Sequence, residues 1–444
     1  MLDLEHPEEW MQLHFLLIKQ WFLSRKRKPE LEQPEYSSPR RQCKVYRRLD
    51  AWGSIFGDAI LQNPNIQDPK HPDGIKFKRR FRVPYSVFLS ILANFRSRDG
   101  WNPASSQDLR AHAPHPLGVK ILCALFILGR GTDLDTVSML ACISIGTLTS
   151  FFHHFCAKMA TLYDEHIYMP KGDDLTAVTS QYARRGFPGC VGSTDCVHFF
   201  WDRCPHNVLH LHQGKEGKPT VAYSLIADHT RRIRSLTVGH PGARNDKSIS
   251  QYDRSIHDIR MKRLYHNEPF SLYDAHGQPQ THLGLYLLCD GGYHKWRIRP
   301  CPNKCASEEC TLRFSQRLES VRKDAECTFG ILKKRWRILK NHILIQNKAS
   351  IDNIIFTCAI LHNMLLDYDE WNDDDDFYDI GKDVGADSMD PRVVNLRQGP
   401  ADRSYVGGGN LVDAEVEVES EWASLRRNLV QNYMFCYKAN RIEW

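Results

Sequence analysis

The chain has 444 residues, 42% hydrophobic and 25% charged, and a formal net charge of +6 at pH 7. That is enough apolar material for a sizeable core in two or three structural units. No apolar run approaches the roughly 18–20 residues that span a bilayer, and Met1-Leu2-Asp3-Leu4-Glu5-His6 lacks a secretory signal's charged start and apolar stretch. The 14 scattered cysteines read as reduced intracellular thiols rather than as a disulfide scaffold.

Residues 1–75 are expected to form a basic N-terminal arm, in which a helical start gives way to mixtures of Pro, Glu, Ser and Arg. Arg25-Lys26-Arg27-Lys28 reads as a nuclear import signal or, nearly as well, as a solvated basic turn. Further basic clusters stand at Arg40-Arg41, Arg47-Arg48, Lys76 to Arg82 and Lys333 to Arg337, which suits a polyanionic partner. Over 76–170 the pattern is helical. Leu117 to Gly129 is an apolar helix closed by glycine, and Asp133 to Ala141 is a short one. A third starts at Ser144, a suitable N-cap, and runs through Thr147, Phe151, Phe155 and Met159. Three helices with a tight turn before the last fit a helix-turn-helix that presents Ser144 and Thr147 to DNA. An ordinary helical subdomain fits equally well.

Residues 185–366 change character. Val191 to Phe200, Thr220 to Ala227 and Ile233 to Val238 are β-branched and aromatic, separated by polar turns, and predict a three-stranded antiparallel meander. A helix near Asp246 to Ile259, a buried strand ending at Asp290, and long helices from Leu318 and from Ile351 follow. The expected fold is α/β, a mixed sheet flanked by helices. Residues 367–444 read as an acidic tail, with Asp373 to Asp376 and Gly407-Gly408-Gly409, closed by a helix from Leu411 to Tyr437.

Three acids draw attention. Asp195 sits in one strand, Asp290 ends another, and Glu326 lies in a strongly basic helix whose apolar stripe is Leu318, Val321, Ala325, Phe329, Leu332, Trp336 and Leu339. Carboxylates gathered from distant elements repel one another unless cations neutralise them, and hard oxygen ligands suit a pair of Mg2+ or Mn2+ ions that catalyse phosphoryl displacement. Arg322, Lys333 and Arg337 are expected to hold backbone phosphates beside them. On the helix alone, an i,i+4 ion pair between Arg322 and Glu326 explains the acid, at a few tenths of a kcal/mol. That explanation weakens once Asp195 and Asp290 are placed on strands, where a lone carboxylate is costly to desolvate. Cys301, Cys305, Cys310, His206, His210 and His212 lack a Cys-x2-Cys knuckle and read as free thiols and imidazoles rather than a zinc site. His198 is expected to pack or hydrogen-bond locally.

The segments Gly189-Cys190-Val191-Gly192-Ser193-Thr194-Asp195-Cys196-Val197-His198, Gly214-Lys215-Glu216-Gly217-Lys218-Pro219-Thr220, Pro241-Gly242-Ala243-Arg244-Asn245-Asp246, Asp290-Gly291-Gly292-Tyr293 and Ser320 to Gly330 resemble, in order, the PIF/Harbinger transposases, above all their plant-transposon-protein branch. The resemblance implies an RNase H-like catalytic fold with an Asp-Asp-Glu metal site acting on DNA in the nucleus. Asp195 and Asp290 would hold the metals, Glu326 would complete the site, and Asp246 matches a further acid. The implied partners are transposon terminal-inverted-repeat DNA, a separate DNA-binding protein and further copies of the chain, without a membrane. Cys327-Thr328 and Gly291-Gly292 depart from the family's commoner wording but remove no ligand. The expected function is metal-dependent cleavage, with or without re-joining, of DNA at transposon ends. The alternative is a catalytically silent nuclear DNA- or chromatin-binding adaptor.

Overall fold

The computed structural model describes residues 51, 53–57, 63–101, 115–214, 217–303, 306–368 and 412–443. The chain divides into two units, 1–48 and 49–444. The first lies wholly outside the described residues, as do the basic runs at 25–28, 40–41 and 47–48, Cys305, the acidic run at 373–376 and the glycines at 407–409.

The second unit opens with helices. α1 (Pro72–Phe81) and α2 (Tyr85–Ser97) precede α3 (Leu117–Arg130), whose closing residue is Gly131 at φ 64° rather than the expected Gly129. α4 (Leu134–Ala141) is N-capped by Asp133, whose carboxylate accepts from the Thr136 amide at 2.8 Å. Left-handed Cys142 ends it, and α5 (Ile145–Ala160) leaves at an angle of 110°. α5 buries Leu148, Phe151, Phe152, Phe155, Cys156 and Met159, so one face of it from Leu148 onward is core. α6 (Gly172–Arg184) leads into the sheet.

β1 (Cys190–Phe200), β2 (Thr220–Ala227) and β3 (Ile233–Leu236) form the expected antiparallel meander, with Asp195 opposite Leu225. β4 (His240–Pro241) pairs with the start of β2. All eight residues of β2 are buried, as a central strand covered on both faces must be. The helix expected near 246–259 is broken: α7 (Asp246–Ile249) and α8 (Arg254–Arg260) are separated at Asp253, whose carboxylate caps α8 through the Ser255 and Ile256 amides. A hairpin that the sequence pattern did not suggest, β5 (Pro269–Tyr273) and β6 (Pro279–Leu283), comes next. Its Phe270 ring packs on Gly189 at φ 83°, where a Cβ would lie 2.6 Å from the ring. β7 (Tyr286–Leu288) then returns parallel to β1, giving the order β3-β2-β1-β7. α9 (Glu309–Arg335) crosses β1 and β2. It starts well before Leu318 and stops at Arg335, so Trp336 and Leu339 of the predicted stripe lie beyond the helix, as does Arg337, with Arg337 and Leu339 in a 3-10 turn.

α10 (Lys348–Leu366) is long and apolar enough to cross a membrane by length and composition, contrary to the expectation that nothing in the chain is, yet 67% of its apolar window is buried in the protein. α11 (Val412–Lys438) is no appendage either. Leu425, Leu429, Val430 and Tyr433 join a core with Tyr182, Tyr286, Leu318 and Val321. The other large core links Phe81, Phe88 and Phe155 of the early helices to Tyr223, Phe329, Trp336 and α10. One apolar cluster therefore runs across the expected boundary near 170–185.

Candidate active site

Asp195, Asp290 and Glu326 converge. Asp195 is mid-strand on β1, on the side that α9 covers. Asp290 follows β7 by two residues, and parallel pairing of β7 with β1 brings the two chain positions side by side. Asp290 Oδ1 accepts from the Gly291 amide at 2.8 Å. The loop that follows is anchored by Arg299, fully buried, which stacks on Tyr293 and Trp296 and donates to Ser250 Oγ at 3.0 Å.

Between the acids stands Arg322. Its guanidinium is 2.9 Å from Glu326 Oε1, 3.9 Å from Asp195 Oδ2 and 3.9 Å from Asp290 Oδ1, and its side chain is only 8% exposed. Arg322 Nε also donates to Glu319 Oε2 at 2.9 Å. The spacing Glu319, Arg322, Glu326 puts all three on one helical face. One cation thus faces four carboxylates, two of them, Asp290 and Glu326, more than 40% exposed. Burial pushes the Asp195 carboxyl up to about 6; the Cys196 amide and Arg322 pull it down, and Glu326 and Asp290 push it up. Burial works against the charge of Arg322, but Glu319, Asp290 and Glu326 hold its pKa above the ordinary value.

The other expected residues are placed differently. Asp246 is held by His198. Its Oδ1 meets His198 Nε2 at 3.2 Å, and His198 Nδ1 meets Thr220 Oγ1 at 3.1 Å. Strand alternation turns His198 to the face of β1 opposite Asp195. Arg322 is a buried partner of the acids rather than an exposed phosphate holder. Lys333 is also drawn inward, with Nζ 5.0 Å from the centre of the Phe199 ring and its pKa lowered by burial. Arg337 is exposed, beyond the end of α9. Ser144 and Thr147 are exposed at the start of α5, with Ser144 Oγ accepting from the Thr147 amide at 3.3 Å. Cys301 is buried beside Cys289 and Tyr293, and His212 bonds the Thr220 carbonyl. Glu319 was missed from the sequence, although its position three before Arg322 was a readable sign.

The donor set suits a divalent cation in kind. It is carboxylate oxygen from three elements with an excess of negative charge, and it contains no thiol. As they stand, however, among the described residues no group of three or more His, Cys, Asp or Glu side chains is gathered tightly enough to coordinate one ion. The guanidinium of Arg322 stands between them, so a metal would compete with it for the same oxygens.

Residues 164–374 match the profile of the plant transposon protein family. A protein of Arabidopsis thaliana named ALP1-like is 24% identical over 314 residues, covering 69% of this chain and 73% of its own length. The Arabidopsis thaliana protein Antagonist of Like Heterochromatin Protein 1 is 21% identical over 329 residues, covering 73% of this chain and 80% of its own. No solved structure matches the chain.

Proposed function

We propose that this chain, whose residues 164–374 match the plant transposon protein family, is a metal-dependent DNA nuclease of PIF/Harbinger-type transposase descent, which cleaves phosphodiester bonds at transposon ends in the nucleus. The observation that carries this reading is the convergence of Asp195, Asp290 and Glu326, from two strands and a helix, on one guanidinium. The sheet order, a meander joined by a parallel strand on its β1 side, supports an RNase H-like core.

Asp195, Asp290 and Glu326 would hold Mg2+ or Mn2+, which supplies Lewis acidity and activation of the attacking water. Arg322 keeps the acids gathered when no metal neutralises them. The fixed strand position of Asp195 and the anchored Asp290 loop give two rigid oxygens, with Glu326 on the more exposed helix face. The 110° turn between α4 and α5 falls within the helix-turn-helix range, and the exposed first turn of α5 would supply sequence contacts.

The test is cleavage of candidate terminal-inverted-repeat DNA with Mg2+ and with chelator. The parent is expected to cut only with metal, and Asp290→Asn to bind DNA without cutting. Absence of metal-dependent cutting by the parent would remove the catalytic reading. A second reading, a silent chromatin-associated adaptor, then takes its place. It is favoured by the guanidinium standing among the acids and by a relative whose name refers to a heterochromatin protein.

A further inference from the structure

α1, α3 and the turn after α9 come together away from the acids, and each delivers arginine. Arg130 at the end of α3 donates through Nη2 to the Arg79 carbonyl of α1 at 3.2 Å. The next residue, Gly131, is pressed on the Arg337 backbone. A Cβ there would lie 3.0 Å from the Arg337 carbonyl oxygen, and the Asn341 amide donates to the Gly131 carbonyl at 2.9 Å. Backbone contacts therefore fix Arg79, Arg80, Arg130 and Arg337 as neighbours. Arg79, Arg80 and Arg337 are exposed, and Arg130 is half-buried.

Among the described residues none of these four has a carboxylate partner. Burial, and then the charges of Arg337, Arg79 and Arg80, make the charged form of Arg130 less favourable than usual. Its Nε is also buried without a hydrogen-bond partner. Like charges held together repel, and an anion laid across them relieves that repulsion. Three guanidiniums spread over exposed surface fit repeated phosphates better than one small anion.

We propose that Arg79, Arg80, Arg130 and Arg337 form a surface for the phosphate backbone of duplex DNA, separate from the acidic site. This rests on the reading of the chain as a DNA-acting protein. Glu326 and Arg335, the last residue of α9, are roughly 14 Å apart at the helical rise, and Arg337 follows two residues on, so one duplex lying along that helix reaches both ends within about half a turn. The contact carries no sequence information; it sets affinity and register.

The test is the salt dependence of binding to a duplex of arbitrary sequence, in chelator so that cutting plays no part. Arg79→Gln, Arg80→Gln and Arg337→Gln combined should reduce the slope of log affinity against log salt by roughly 2–3, at about 0.9 per phosphate contact. The same three positions changed to Lys should keep most of the slope, which a merely structural role would not allow. The Gln variant should melt no lower than the parent, because repulsion has been relieved. Equal slopes for the parent and the Gln variant overturn the patch while leaving the cleavage reading standing. Failure of Asp290→Asn to abolish cutting, with the slope change intact, overturns the acidic site and leaves the patch.

Discussion

Arg234 and Arg322 are both buried, yet their surroundings differ in kind. Arg234 lies bidentate on Asp174 at 2.6 and 2.8 Å and donates to the fully buried Asp228 at 2.7 Å. Each group there is at hydrogen-bond distance. Asp228 further caps its turn through the Thr230 and Arg232 amides. Arg322 instead faces four carboxylates, two at 2.9 Å and two at 3.9 Å, with more negative charge than it can neutralise. The first arrangement is complete and holds the sheet to α6. The second gathers four carboxylates on one guanidinium and opens to solvent at Asp290 and Glu326, which is the difference the proposed cation site rests on.

The largest expected effect breaks the complete network. Arg234→Met leaves Asp228 buried without its cation and should cost about 3–5 kcal/mol, read as a lowered melting temperature that Mn2+ does not restore. Arg322→Met should also lower the melting temperature in chelator, since the acids then repel. Here, however, Mn2+ should restore stability, by about 2.7 kcal/mol at a hundredfold excess over Kd. Equal failure of rescue at both positions would erase the distinction.

A pH series sharpens the comparison. Burial holds the Asp195 carboxyl at about 6, above its ordinary 3.8, so its cost to stability is absent below the unfolded pKa and grows as pH rises through the folded one. Asp195→Asn in chelator should therefore stabilise the protein by about 3 kcal/mol at pH 7, with no gain near pH 3. His362, buried in α10 and bonded to the Arg231 carbonyl, runs the other way. Burial first, and Arg335 second, push its pKa down to about 3, so stability present above pH 6.5 is lost as pH falls toward 3. Denaturant midpoints across that range check both signs.

The smallest effect concerns α5. Thr147→Glu should weaken duplex binding about fivefold at low salt, through repulsion of phosphate, with an unchanged melting temperature because Thr147 is exposed. Unchanged affinity would leave α5 as an ordinary core helix.

The meander and α10 were legible because β-branched runs and long apolar periods are local signals. The three acids were legible as a group because carboxylates on strands need a reason. What the sequence hid was relational. Arg322 read as an exposed cation because periodicity does not say which neighbour a helical face meets. Lys333 turned inward for the same reason, its Nζ standing over the Phe199 ring. Asp246 was grouped with the other acids by resemblance, whereas strand alternation gives it to His198. The β5–β6 hairpin escaped notice because Pro269, Pro279 and exposed polar positions disguise its pattern. α11 looked like part of a tail because the acidic stretch before it dominates the composition.

The central claim is that the acids around Arg322 make a divalent-metal site, and calorimetric titration of Mn2+ into the parent and Asp290→Asn tests it most directly. The parent should take up metal, with a rise in melting temperature at saturation, and Asp290→Asn should lose most of that heat and that rise. No uptake by the parent at millimolar Mn2+, or the same uptake by both proteins, would contradict it.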